Sequence, residues 1–358
     1  MRKPRSFKLG DTGRTNYYHV VSRVVNREVV FGDAEKEHFG KLLFRQLKFS
    51  GVEAVAWCCM GNHFHLLLEV PDKESALEGW TDDDFLARLK VLKEEGHTHA
   101  VLQDVAMWKA NGNREGIAKV AASVRERLFD LSQFMKELKQ KFTTWFNKKH
   151  GRRGTLWEER FRSVLLEGPD ISELANHAVK VVSAYIDLNP VRAGLVEDPK
   201  DYRWCGYAAA VAGDKEARRG IAKAMGCGSG GRLKSRWRWK AVSADYRSFL
   251  YLTGMEHGAG ETSSGRHIQA RAGFSREEAE RVLKGGGKLS LSEVVHCQLR
   301  YLSDGAVLGS RRFVDEFFEN RREMFGASRT SGARKMRGAD WEGLMSLRDL
   351  GEGAVRVR

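Results

Sequence analysis

The sequence predicts an α+β fold, a ferredoxin-like split βαβ sheet with one added helix and a mostly helical C-terminal extension. Two observations carry this. Between about residues 16 and 190 the apolar pattern switches between the two-residue period of strands and the period of helices, in the order strand, helix, strand, strand, helix, strand, helix. Beyond about residue 245 the signals are mostly helical. In such a sheet the first and third strands are central, so one face of the third strand lies mid-sheet, where a later helix can cross it.

Each element has its own warrant. Tyr17 to Val25 is rich in aromatic and β-branched residues and reads as the first strand. Phe39, Leu42, Leu43 and Leu47 recur at helical spacing, with Asp33 placed to cap the helix and Gly51 to end it after Ser50. Val52 to Met60 reads as the second strand, and Gly61-Asn62 as a two-residue hairpin turn that returns the third strand antiparallel as far as Val70. Residues 71–130 read as an insertion, with Thr81 and Asp84 as a capping box ahead of Phe85, Leu86, Leu89 and Leu92, and Gly96 as a stop. His97 and His99 then fall in a loop and are assigned no chemistry. Leu131, Phe134, Met135, Leu138, Phe142, Trp145 and Phe146 form the apolar stripe of a second helix, opposite Lys136, Lys139 and Lys141. Past Gly151 and Gly154, Leu156 to Glu167 reads as the fourth strand. A third helix runs from about Ser172 through Leu174, Ala178, Val181, Val182 and Tyr185 to Pro190, which cannot continue it. Further helices are expected over Asp245 to Leu252, after a Ser275/Glu278 capping box, over Leu291 to Leu302, over Ser310 to Phe325 and over Trp341 to Leu350.

This order divides the chain into a basic arm (1–15), a main domain (16–213, with the insertion at about 71–130), a basic linker containing Gly and Trp (214–244) and a helical C-terminal domain (245–358). In that last domain Arg311, Arg312, Arg321 and Arg322 would suit a reader of duplex DNA. With 61 Lys and Arg against 47 Asp and Glu, the net charge of +14 favours a polyanionic partner, nucleic acid first. No apolar run approaches the roughly 18 residues of a spanning helix, and Met1-Arg2-Lys3-Pro4-Arg5 lacks the apolar core of a signal peptide. A cytoplasmic protein with no membrane partner is expected. Cys58, Cys59, Cys205, Cys227 and Cys297 show no Cys-x-x-Cys spacing, suggest neither a zinc ribbon nor a disulfide framework, and read as reduced thiols.

The chemistry centres on His63-Phe64-His65. On a strand the two imidazoles project to one face while Phe64, Leu66 and Leu68 pack on the other, so they make half a metal site. Tyr185 and Asn189 are four apart and share a helix face. A divalent metal on His63, His65 and the Asn189 oxygen would polarise a phosphoryl oxygen, and the Tyr185 hydroxyl could attack the phosphorus in line. A free phenol has a pKa near 10, so the nucleophile needs activation by the metal charge or by a base that the sequence does not identify. The bland alternatives are a core tyrosine and an ordinary helix-end asparagine before proline.

Four ordered blocks sharpen this. They are Tyr18-His19-Val20-Val21-Ser22-Arg23, Met60-Gly61-Asn62-His63-Phe64-His65-Leu66-Leu67-Leu68, Gly154-Thr155-Leu156-Trp157-Glu158-Glu159-Arg160-Phe161, and Tyr185-Ile186-Asp187-Leu188-Asn189-Pro190-Val191-Arg192-Ala193-Gly194-Leu195-Val196. From Tyr18 to about Gly213 the chain resembles the IS200-like HUH tyrosine transposases, and among them the REP-associated tyrosine transposases (RAYT). The resemblance implies an HUH-type fold, with His63 and His65 as ligands to Mg²⁺ or Mn²⁺ and Tyr185 as the catalytic nucleophile. It further implies a 5′-phosphotyrosine link to single-stranded or hairpin DNA, a free 3′-OH, and action as a monomer or homodimer. Asn189 occupies the place where relatives put a third ligand, often Gln. Gly61 stands where the family usually has Pro, and the insertion is longer than in short relatives.

Candidate DNA contacts are Arg23, Lys148, Lys149, Arg152, Arg153, Arg160 and Arg162, together with Arg236, Trp237, Arg238 and Trp239, where cations alternate with rings able to stack on unpaired bases. The same tryptophans would equally suit a basic linker packed on the next domain. Two rival functions stay open: a non-catalytic hairpin-binding protein with this fold, and a zinc hydrolase in which Tyr185 has no role.

Overall fold

Four strands make the centre of the molecule: β1 (Asn16–Arg23), β2 (Glu53–Cys59), β3 (His63–Val70) and β4 (Arg162–Leu166). They lie in the order β2-β3-β1-β4, all antiparallel, so the first and third strands are central as the ferredoxin-like pattern requires. The computed structural model describes residues 13–169, 176–229, 232–233, 238–251, 281, 288–351 and 354–356. The arm to Thr12, the Ser172 and Leu174 helix start, Arg236, Trp237, Leu252 and the Ser275/Glu278 box lie outside the described residues.

Strand alternation sorts the two cores. Tyr18, Val20, Phe64, Leu66 and Leu68 face α1 (Asp33–Ser50), which supplies Phe39 and Leu43, and a long helix (Leu131–Lys149) that supplies Phe134, Leu138 and Phe142. Full burial of each such side chain contributes about 1.5–3 kcal/mol. The opposite face, with Tyr17, Leu67, Val164 and Leu166, packs on the helix Asn176–Asp187 through Val179, Val182 and Ile186. One face therefore carries both ferredoxin-type helices and the other the added helix.

The insertion forms α2 (Asp82–Leu89), α3 (Gly96–Ala110) and α4 (Arg114–Arg127), followed by α5 (Leu131–Lys149) and, after β4, by α6 (Asn176–Asp187). The Thr81/Asp84 capping box opens α2. Gly96 starts α3 instead of stopping a helix, because Glu95 takes the extended N-cap conformation. His97 and His99 are consequently helical, two apart and on different faces. The insertion core is built on Phe49 of α1, with Leu77, Phe85, Leu89, Val124 and Phe129. Gly51, at φ +75, leaves room for the Phe129 ring, which an added Cβ would meet at 2.3 Å. In the β2/β3 register this end of the sheet, where Glu53 faces Glu69, is the one remote from His63.

Three local expectations are corrected. Asp33 is the first helical residue, not the cap; extended Gly32 holds that place without a side-chain bond. Strand pairing in the fourth strand covers only Arg162–Leu166, since Trp157 makes one isolated bridge to Val24. The Gly61-Asn62 link does not use the positive φ of a primed hairpin turn. Instead Val30 and Phe31 donate to the Gly61 carbonyl and Val24 to that of Asn62, so tertiary hydrogen bonds shape the turn.

Residues 214–244, expected as a linker, include α7 (Lys215–Ala224), capped by the Asp214 side chain and packed against β2. Gly220 makes this approach possible: an added Cβ would lie 2.3 Å from the Val55 carbonyl oxygen. Gly220→Ala is expected to cost about 1–3 kcal/mol by overpacking, read as a lowered urea midpoint. An unchanged midpoint would contradict that docking.

Residues beyond 245, expected to be mostly helical, also extend the sheet. After α8 (Trp239–Tyr251), β5 (Val307–Gly309) pairs parallel with β4, and β7 (Met345–Ser346) and β6 (Arg334–Lys335) continue outward. Between them α9 (Arg311–Glu319) buries Phe313, Val314, Phe317 and Phe318 against that sheet and leaves Arg311 and Arg312 exposed. Arg322 holds the carbonyls of Phe325, Gly326 and Ala327. Trp341 to Leu350 is no helix: Glu342 and Gly343 both take positive φ, and Met345–Ser346 is a strand. Among the described residues no helix is long and apolar enough to cross a membrane.

Candidate metal and nucleophile site

The first residues of β3 place His63 and His65 on the sheet face that α6 crosses. Their ring centroids are 5.0 Å apart. Tyr185, on the last turn of α6, points its ring edgewise at His65, 6.1 Å away, and stands at the same 6.1 Å from His19 of β1. All three sequence-predicted rings thus converge, with His19 as a fourth.

Each histidine is held in a defined way. Asn62 donates its amide to the Arg27 carbonyl at 3.0 Å, which turns its Oδ1 toward His63. His63 Nδ1 donates to that oxygen at 2.6 Å, leaving the lone pair on Nε2. His65 Nδ1 lies 2.9 Å from His19 Nε2, and His19 Nδ1 lies 2.7 Å from the Leu302 carbonyl oxygen. Burial, then His63, His19 and the Arg192 and Arg23 guanidinium groups, hold the pKa of His65 well below the usual imidazole range. Burial likewise lowers His19 to about 4. Both rings are neutral at physiological pH, the form in which imidazole binds a metal.

Asn189 opens the short helix Asn189–Arg192, separated from α6 by Leu188. Pro190 has no N–H to extend the ladder, and the Arg192 guanidinium takes over one carbonyl, donating to Tyr185 O at 2.6 Å. The same group donates to Val295 O at 2.9 Å and stacks on the Tyr185 ring at 4.0 Å. Asn189 Nδ2 is buried with no hydrogen-bond partner. An unpaired amide NH₂ only donates, so it fits an incoming acceptor such as a phosphate oxygen, and only the Asn189 Oδ1 has lone pairs for a metal. Among the described residues no three His, Cys, Asp or Glu side chains are grouped to hold a metal ion.

Arg23 stands directly opposite His63 in the β1/β3 register, on the same face. Burial and the like charges of Arg162 and Arg27 lower its pKa, while Glu158 and Tyr185 raise it. Guanidinium groups crowded this way at a site edge favour an incoming anion.

Residues 14–78 match the family described as "Transposase IS200 like". The matched residues supply β1, α1, β2 and β3, hence His19, Arg23, His63 and His65, while Tyr185, Asn189 and Arg192 lie beyond them. A solved structure titled "Structure of the REP associates tyrosine transposase bound to a REP hairpin" matches at 15% identity and a TM-score of 0.35, over 60% of this chain and 86% of that one, a likeness too distant to bear on function. No curated protein matches the chain.

Apart from Arg23, the candidate DNA contacts lie beyond residues 14–78 in the chain. Lys148, Arg153 and Arg160 are exposed. Lys149 bonds Glu35 at 2.5 Å, and Arg152 lies over Phe146 at 5.8 Å. Arg162 is engaged by Glu159 at 2.7 Å and Asp304 at 2.8 Å. Arg238 is exposed, but Trp239 is half-buried under the Arg218 guanidinium at 4.9 Å. His19 and Arg192 stand in the quoted blocks without a motif that marks either for a role. Strand periodicity carries the one available signal, since His19, Val21 and Arg23 share a face and pair with the strand of His63 and His65.

Proposed function

We propose that this protein is a metal-dependent tyrosine transposase of the HUH type, which cleaves and rejoins single-stranded DNA at hairpin-forming sites. The observation that carries the reading is the convergence of Tyr185 on the histidine pair: its ring centroid is 6.1 Å from that of His65, which in turn is 5.0 Å from that of His63. His63 and His65 would hold Mg²⁺ or Mn²⁺ through Nε2, with the Asn189 amide as third donor. When bound, that ion supplies a Lewis acid for the scissile phosphate. The chain's own groups do the rest. Arg23, beside His63, neutralises and orients the phosphate. Tyr185 Oη attacks phosphorus, the 3′ oxygen departs as a free 3′-OH, and the 5′ side remains on the tyrosine. Arg192 fixes the Tyr185 ring by stacking and holds the backbone of its turn. Lys148 and Lys149 end α5, where Lys149 bonds Glu35 in the first turn of α1, and Arg152 and Arg153 follow just past that helix, a basic run that could track the DNA backbone.

The test uses labelled hairpin oligonucleotides with Mn²⁺ and a denaturing gel. A protein–DNA adduct is expected, and EDTA should abolish it. His63→Ala and His65→Ala should each lower adduct formation at least about 100-fold, since each removes a donor from a site that has few. Adduct formation at the wild-type rate in either variant would remove that histidine from the site. Hairpin binding with no adduct under any metal would favour a non-catalytic hairpin binder.

A further inference from the structure

We propose that His19 is a positioning residue that sets the tautomer of His65, using a carbonyl supplied by the C-terminal part of the chain. The register places Val21 opposite His65 and His19 opposite Leu67, so His19 is the diagonal neighbour of His65 on one face. Leu302 belongs to the five-residue helix Arg300–Asp304, too short to pair its own last carbonyls, and its oxygen turns to the sheet instead. A carbonyl only accepts. His19 Nδ1, 2.7 Å away, therefore carries the proton, and the lone pair of the neutral ring falls on Nε2. His65 Nδ1 stands 2.9 Å from that lone pair and donates to it. The proton of His65 is thereby fixed on Nδ1 and its lone pair on Nε2.

That order decides what His65 can do. An imidazole ligates through an atom with no proton, and the hydrogen bond made by the other nitrogen sets which atom that is. Without the relay a buried His65 can carry its proton on Nε2. His63 is ordered separately by Asn62, so the two histidines are prepared by different parts of the chain. Their common product is a pair of Nε2 lone pairs on one face. The consequence for a metal depends on the function proposed above; the tautomer itself does not.

Imidazole ¹⁵N spectra of the metal-free full chain decide the tautomer. Wild-type His65 should show a pyrrole-like Nδ1 and a pyridine-like Nε2; the reverse assignment overturns the proposal. His19→Phe, which keeps a flat ring but cannot accept, should move His65 toward the other tautomer and weaken Mn²⁺ binding by about 10- to 100-fold in calorimetry. His19→Gln, with one amide donor and one acceptor, should restore most of that affinity. Hairpin binding in EDTA should stay the same in all three proteins. A His19→Phe protein that keeps both the Nδ1 proton and the wild-type Mn²⁺ affinity also overturns the proposal. If wild-type protein binds no Mn²⁺, the metal reading fails, while the spectra still decide the relay.

Discussion

Replacing Tyr185 by Phe is expected to abolish the covalent protein–DNA adduct, with strand cleavage falling by about 10³-fold or more because the nucleophile is gone. The ring survives in this variant. Its packing against His65 and His19 and under Arg192 is kept, so the thermal midpoint should change little and hairpin affinity should stay within about twofold. A denaturing gel and a binding titration on the same preparation separate the two effects. An adduct that persists in Tyr185→Phe would sink the assignment of the nucleophile.

Lys223→Ala should destabilise the fold by about 3–5 kcal/mol, because it strands a buried carboxylate. Lys223 Nζ donates to Glu69 at 2.6 Å and to Glu53 at 2.7 Å, and the Lys223 and Glu69 side chains are 4% and 3% exposed. Glu69 also hydrogen-bonds Tyr17, whose ionisation is pushed up by burial and by the nearby Glu69 charge. Urea unfolding measures the loss, and Lys223→Ala combined with Glu69→Gln should recover part of it, since no charge is then left alone. A loss below about 1 kcal/mol for the single variant would mean that α7 is not clamped to the sheet through this pair.

The legible parts of the chain share a property: their signal is local. The helix over Asp33 to Ser50 repeats its apolar residues within its own length, and Gly51 ends it in the left-handed conformation that glycine tolerates. The same holds for α5, capped by Asp130 and striped from Leu131 to Phe146. Where neighbours in space decide, sequence patterns misled. Gly61-Asn62 has the composition of a primed turn, yet hydrogen bonds from Val24, Val30 and Phe31 shape it otherwise. The C-terminal strands are two or three residues long, too short to show a two-residue period, and only the exposed edge of β4 makes them strands.

Sequence alone determined the split βαβ order, the two faces of the third strand, the pairing of His63 with His65 on one of them, and the candidacy of Tyr185. The first three follow from periods of two and 3.6 residues, which any stretch of chain carries within itself, while the candidacy of Tyr185 rests mainly on the resemblance of the four blocks. Tertiary structure alone decided what surrounds that pair. It brought Tyr185 across the sheet to the histidines and put Arg192 over its ring. It also supplied Leu302, 283 positions from His19, as the acceptor that orders His19 and through it His65. Hydrogen bonds between residues that far apart leave no periodic trace, since their geometry exists only once both chain segments have packed on the same sheet.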